Sequence, residues 1–120
     1  MRGDDLVKRT MTFASDCVRF TETLPDSVLT KHVKGQLIRC STSVAANYRA
    51  TRLAQTGAAF IAKMSIVVEE SDECEFWLEF LALHDIGKNS ERVALLKEAH
   101  ELTSIFVASR RTAQKNRTNK

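Results

Sequence analysis

The stretch FIAKMSIVVEESDECEFWLEFL, residues 60–81, decides the fold. Within it Phe60, Met64, Val67, Ser71, Cys74, Leu78 and Leu81 recur at alternating spacings of four and three. A small or apolar residue every 3.5 positions lays one continuous stripe along a helix, the pattern of a helix packed lengthwise against others. With one proline and four glycines in 120 residues, little interrupts such patterns elsewhere.

Working outward, Leu6, Thr10, Phe13, Cys17, Phe20 and Leu24 form a similar stripe, which predicts a helix over about 4–23. Leu24-Pro25 ends it, because proline disfavours helical geometry in the preceding residue. Asp26 or Ser27 then caps a second helix, about 27–53, with Val33, Leu37, Cys40 or Ser41, Val44 and Tyr48 inward. Gly35 inside it costs roughly 1 kcal/mol relative to alanine and suggests a close helix contact there. A break at Gln55-Thr56-Gly57 leads into the third helix, about 58–84. Gly87 suits a left-handed cap position in the next turn. A fourth helix, about 90–112, carries Leu95, Ala99, Leu102 and Phe106. Connections this short make neighbouring helices antiparallel. The expected fold class is all-α, an antiparallel up-down-up-down four-helix bundle in one domain, residues 1–112, with residues 113–120 a basic, disordered tail.

A chain of this size buries a core without metal or disulfide staples. It contains no apolar run near the roughly 18 residues of a membrane span and no signal peptide, so no membrane partner and a cytoplasmic location are expected. Cys17, Cys40 and Cys74 have no CxxC spacing and each falls on the apolar stripe of its own helix, which reads as core. Off the main stripe of the third helix lie Ile66, Trp77, Phe80 and Leu83. This second apolar strip is either a subunit contact or a wide core face shared with two neighbours.

The residues Leu24-Pro25, Gln36-Leu37 with Arg39, Ser43-Val44 with Asn47, Phe60-Ile61 with Lys63, Glu69-Glu70 with Glu73, and Trp77-Leu78-Glu79 follow one another in a familiar order and spacing. In these the chain resembles the bacterial four-helix bundle family of proteins encoded in intervening sequences of 23S ribosomal RNA genes, long labelled "S23 ribosomal protein". Accessory variability proteins of diversity-generating retroelements share that fold. The resemblance implies a cytoplasmic homo-oligomer, typically a pentamer. For retroelement members it implies binding to a reverse transcriptase and to nucleic acid. Most of the family has no assigned activity, and the ribosomal label does not establish ribosome binding. Many members carry an acid soon after the asparagine, where this chain reads Asn47-Tyr48-Arg49-Ala50-Thr51. A role tied to that acid is not carried over.

No residue set specifies a reaction. A di-iron bundle needs Glu-x-x-His pairs, and none of His32, His84 and His100 has a glutamate three residues earlier. No phosphate-cradling glycine loop occurs. The expectation is therefore no catalytic residues, no metal, no cofactor and no enzyme. The acidic run from Glu69 to Glu75 is better read as interhelical pairing. Antiparallel register sets Arg39 near residue 71, within reach of Glu70 or Glu73, and sets Lys34 and Lys31 opposite Glu75 and Glu79. Asn47, with Ser43 one turn earlier, is expected to hydrogen-bond a neighbouring helix or subunit.

The net charge of +3 hides an uneven layout. Alternating topology gathers the start of the first helix, the second turn and the end of the fourth helix at one end. There lie Arg2, Lys8, Arg9, Arg49, Arg52, Lys63, Arg110, Arg111, Lys115, Arg117 and Lys120, against Asp4 and Asp5. Such a basic pole suits a phosphate backbone. The leading expectation is a non-enzymatic oligomer binding RNA or DNA, with Arg49, Arg52, Lys63, Arg110 and Arg111 as phosphate contacts. The alternative is a scaffold whose pole docks an acidic protein partner such as a reverse transcriptase.

Overall fold

The computed structural model describes residues 3–118; Arg2 and Lys120, assigned to the basic pole, lie outside the described residues. Four helices follow one another: α1 (Gly3–Glu22), α2 (Val28–Thr51), α3 (Gly57–Leu83) and α4 (Asn89–Thr118). Each packs on its neighbour in sequence, and α1 closes against α4 along a thinner seam. The molecule is elongated, 52 × 24 × 22 Å, as expected of a bundle whose longest helix has 30 residues.

Local chemistry explains where the helices begin. Ser27 Oγ accepts from the Thr30 backbone N–H at 3.0 Å and caps α2, and Thr56 Oγ1 does the same for Ala59 at the start of α3. The end of α3 differs from expectation. Asp85, not Gly87, takes the left-handed cap position, with φ 52°. Ile86 N–H donates to Leu81 O at 2.9 Å and Asp85 N–H to Ala82 O at 3.0 Å, the two bonds of a Schellman closure. Gly87 also has positive φ, 89°, but it serves the following turn, where it passes against Phe20 and Leu24.

The apolar stripes are the core. Phe13, Val33, Leu37, Val44, Met64, Val67, Leu78, Leu81, Leu102 and Phe106 are buried, and Phe106 stacks on Tyr48 at 5.5 Å. At mid-height the core is made of small side chains: Cys17, both Cys40 and Ser41, Ser71, Cys74 and Ala99, each 0% exposed. Small residues facing one another let helix axes approach closely at constant packing density. Ser41 Oγ and Ser71 Oγ donate to Ile38 O and Val68 O of their own helices, and Thr103 Oγ1 crosses from α4 to Ser71 Oγ at 3.0 Å.

Two expectations are corrected here. Gly35 makes no close helix contact: a methyl group added there would meet nothing within 4 Å. Its position on the exposed side of α2 leaves only the backbone cost of glycine. Gly35→Ala is therefore expected to raise stability by about 0.5–1 kcal/mol in urea unfolding. A loss of stability would show that the site is not open. Secondly, the helix does not end near residue 112 but runs to Thr118. Once a helix is established each further residue adds a hydrogen bond without new nucleation. The segment holds no glycine or proline, and Lys115 and Arg117 complement the negative end of the helix dipole.

Candidate nucleic-acid interface

No carboxylate occurs between Asp26 and Glu69, nor after Glu101. Because α2, α3 and α4 alternate in direction, these acid-free stretches share one end of the bundle. The last turns of α2, the first three turns of α3 and the last four turns of α4 contribute to it, with Asp4 and Asp5 at the start of α1 the acids beside them. The charge asymmetry is thus a consequence of topology acting on a sequence whose net charge is small.

Arg49 and Arg52, near the end of α2, are exposed, and neither has an ion-pair partner among the described residues. Arg52 reaches across the start of α1: a methyl group at Gly3 would fall 2.4 Å from one of its guanidinium nitrogens. It also lies near the Tyr48 phenol, whose pKa burial raises while the Arg52 charge pulls it down. Arg49 opens instead onto a trough between α1 and α2 floored by small residues, including Ala14, Ala45 and Ala46. Lys63 and Arg110 are half-buried on α3 and α4, and Arg110 donates a long hydrogen bond, 3.5 Å, to Ser65 Oγ. Arg111 faces a trough between α3 and α4 that also holds Asp72, Glu75 and His100. The structure therefore gathers all five residues at one end but distributes them around its rim. Arg49 and Arg111 occupy opposite faces. Arg117 joins this end, with its methylenes 3.3–3.4 Å from where a Gly57 side chain would start.

Arg9 is the residue the charge layout misplaces. Its Nε and Nη2 donate to Glu98 at 2.8 and 2.6 Å, and Nη2 also reaches Glu101 at 2.8 Å. These bonds raise its pKa, the Glu98 hydrogen bond most of all. Arg9 is thus an internal clasp of the thin α1–α4 seam and no free cation of the pole. The spacing of Glu98 and Glu101 on one face of α4 is the sequence signal for it.

The interhelical pairing holds in part. Arg39 Nη1 meets Glu70 at 3.0 Å and Nη2 bonds Glu73, which also accepts from Trp77 Nε1 at 3.2 Å. Lys31 and Lys34 do not face Glu75 and Glu79. Glu75 points toward α4 and bonds His100 Nδ1 at 2.9 Å, and Lys34 turns to Asp26 at 3.8 Å. Two residues on from Glu73 is about 200° around a helix, enough to face another neighbour. Nor does Asn47 reach another helix: its amide donates to Ser43 O at 3.0 Å and to Ser43 Oγ at 2.9 Å, within α2.

The second apolar strip of α3 is mixed. Trp77 and Phe80 are half-buried against the core, while Ile66 is 39% and Leu83 79% exposed. Phe76, which the sequence reading passed over, is half-exposed and links the rings: 4.9 Å to Trp77 and 6.0 Å to Phe80. His32 meets the Trp77 ring at 5.5 Å and His84 meets Phe80 at 4.7 Å. The strip is an aromatic ridge at the end opposite the basic pole. Among the described residues, no group of three or more His, Cys, Asp or Glu is arranged to hold a metal ion, and no helix is long and apolar enough to cross a membrane.

A family model of 23S rRNA-intervening sequence proteins matches residues 4–108. Among solved structures, the chain is similar to a protein of unknown function from the S23 ribosomal protein family of Bacteroides thetaiotaomicron. The TM-score is 0.80 at 25% identity, over 92% of this chain and 99% of that one. No match is found among curated proteins.

Proposed function

The chain belongs to the 23S rRNA-intervening sequence protein family, and from that premise we propose that it is a non-enzymatic, cytoplasmic, self-associating protein that binds the RNA or DNA backbone through its basic pole. The observation that carries the reading is the cation-rich end of the bundle, where among the described residues Arg49, Arg52, Lys63 and Arg111 have no ion-pair partner and Asp4 and Asp5 at the start of α1 are the acids nearby, which leaves the four cations open to an external anion. Cations spread around a rim suit a polyanion better than a small anion, because no single point collects them. The pole offers no exposed aromatic ring for base stacking, since Tyr48 is buried and Phe60 half-buried, so binding is through charge rather than base identity.

Self-association is assigned to the exposed part of α3, from Ile66 to Trp77, Phe80 and Leu83. A homopentamer with parallel subunits, as the family resemblance implies, would set several basic poles on one face and multiply the backbone contacts. The competing reading is a scaffold whose pole docks an acidic protein. It predicts the same oligomer with no affinity for nucleic acid at low salt.

The test is fluorescence anisotropy of labelled RNA and DNA across a salt series, with mass in solution measured alongside. Replacing Arg49, Arg52, Arg110 and Arg111 together by Gln is expected to weaken binding at least about 100-fold and flatten the logarithmic salt slope, each lost phosphate contact removing roughly 0.7–0.9. The mass should not change. Unaltered affinity and slope in that variant would sink the pole as the binding site.

A further inference from the structure

Independently of the basic pole, we propose that Cys40 and Cys74 form a peroxide-oxidisable dithiol, a site at which an intramolecular disulfide staples α2 to α3. The two side chains come from adjacent antiparallel helices and meet inside the small-residue layer at mid-height. Cys74 Sγ donates to Cys40 Sγ at 3.2 Å, both residues are 0% exposed, and Cys40 Sγ also faces Leu37 O at 3.6 Å. A disulfide places its sulfurs about 2.05 Å apart, so closure needs an approach of only about 1 Å. The pair sits within the broad α2–α3 contact, where Arg39 and Glu73, each the residue just before one of the two cysteines, pair and together with Glu70 fix the register. Two thiols held this way have a far higher effective concentration toward each other than toward any thiol in solution.

Burial also selects the oxidant. The hydrogen bond with Cys40 and desolvation push the Cys74 thiol well above its ordinary range, so in the closed bundle it stays protonated and unreactive, and it is screened from bulky disulfides such as oxidised glutathione. Hydrogen peroxide is small and uncharged and reaches the site when the bundle breathes, and the same opening wets the pair and lets one thiol ionise to the thiolate that reacts. One thiol takes an oxygen from peroxide, giving a sulfenic acid and one water. The second thiol then attacks that sulfur: the S–S bond forms, the S–O bond breaks, and hydroxide leaves with the attacking thiol's proton as a second water. The two sulfurs lose two electrons and the peroxide gains them. Cys17, the third buried thiol of the layer, is expected to remain reduced.

The full-length folded protein is treated with peroxide, quenched by alkylation, and mapped after trypsin digestion. Cleavage after Arg39, Arg49, Lys63 and Lys88 separates peptides 40–49 and 64–88. The expected product joins those two peptides at a mass two hydrogens below their sum, with Cys17 alkylated. The link should form equally in Cys17→Ala. It should also raise the melting temperature by about 10 °C, because it closes a long loop in the unfolded chain. The proposal is overturned by oxygen adducts at Cys40 or Cys74 without a link, or by a link that includes Cys17. It is equally overturned by intact thiols after an exposure that fully oxidises the urea-unfolded protein, or by a link that lowers the melting temperature.

Discussion

Gly87→Ala is expected to cost about 2–4 kcal/mol and to lower the melting temperature by roughly 10 °C. Two effects act together. At φ 89° the backbone sits where a side chain is strained. An added methyl would also fall 2.6 Å from Phe20 Cζ and 3.0 Å from Leu24 Cδ2. Neither neighbour can withdraw cheaply, since Phe20 is 3% and Leu24 5% exposed and both are part of the core. The turn would have to lift off the end of α1, and so expose apolar surface that closes the top of the bundle. Thermal unfolding followed by circular dichroism checks this, and a shift of less than a few degrees would mean the turn yields easily.

Arg92→Ala should have an effect of comparable size, about 2–3 kcal/mol, through the same turn. Arg92 is a buried arginine one step before Leu95 on the stripe that continues through Ala99, Leu102 and Phe106. Its Nη1 donates to Ile86 O at 2.7 Å and Gly87 O at 3.2 Å, its Nη2 donates to Asn89 Oδ1 at 3.1 Å, and Asp85 lies at 3.8 Å. One guanidinium thus gathers the carbonyls of the turn that follows the Schellman closure. Its planar fork reaches several acceptors at once, which an ammonium does not. Arg92→Lys should therefore recover less than half of the loss. Arg92 Nε has no partner, so part of the gain is already offset by a buried, unsatisfied donor. Because Gly87 and Arg92 hold the same turn, the double variant should lose less than the sum of the two. Additive losses in urea unfolding would show that the two act separately.

The basic pole and the helix order were legible early because both follow from patterns with a fixed period. The stripe from Phe60 to Leu81 places each residue by its own helix geometry, and the structure buries Met64, Val67, Ser71, Cys74, Leu78 and Leu81 along it. Arg39 was placed opposite Glu70 and Glu73 for a similar reason: antiparallel register from a short turn fixes which residues lie at one height. Height alone was not enough for Glu75, which shares the register of Lys34 but points to α4 and His100. Asn47 was legible as a polar residue on α2 but not in its choice of Ser43 over another helix.

What the sequence determined by itself is the set of helices, their alternation and the face each one buries. It also set the separation of acid from base along the chain, since hydrophobic period, capping and charge order are local properties. The tertiary structure decided which charges remain free. Arg9 and Arg52 lie near the same end, yet Arg9 is consumed by Glu98 and Glu101 while Arg52 reaches over the start of α1 and has no ion pair among the described residues. It likewise decided that Asp85 takes the left-handed cap, that the Arg92 guanidinium meets the Ile86 and Gly87 carbonyls, and that two thiols 34 positions apart touch. In each case the outcome depends on which side chains from other helices arrive within a few ångströms. That is set by helix rotation and by the room left in the packed interior, and no periodicity along the chain encodes it.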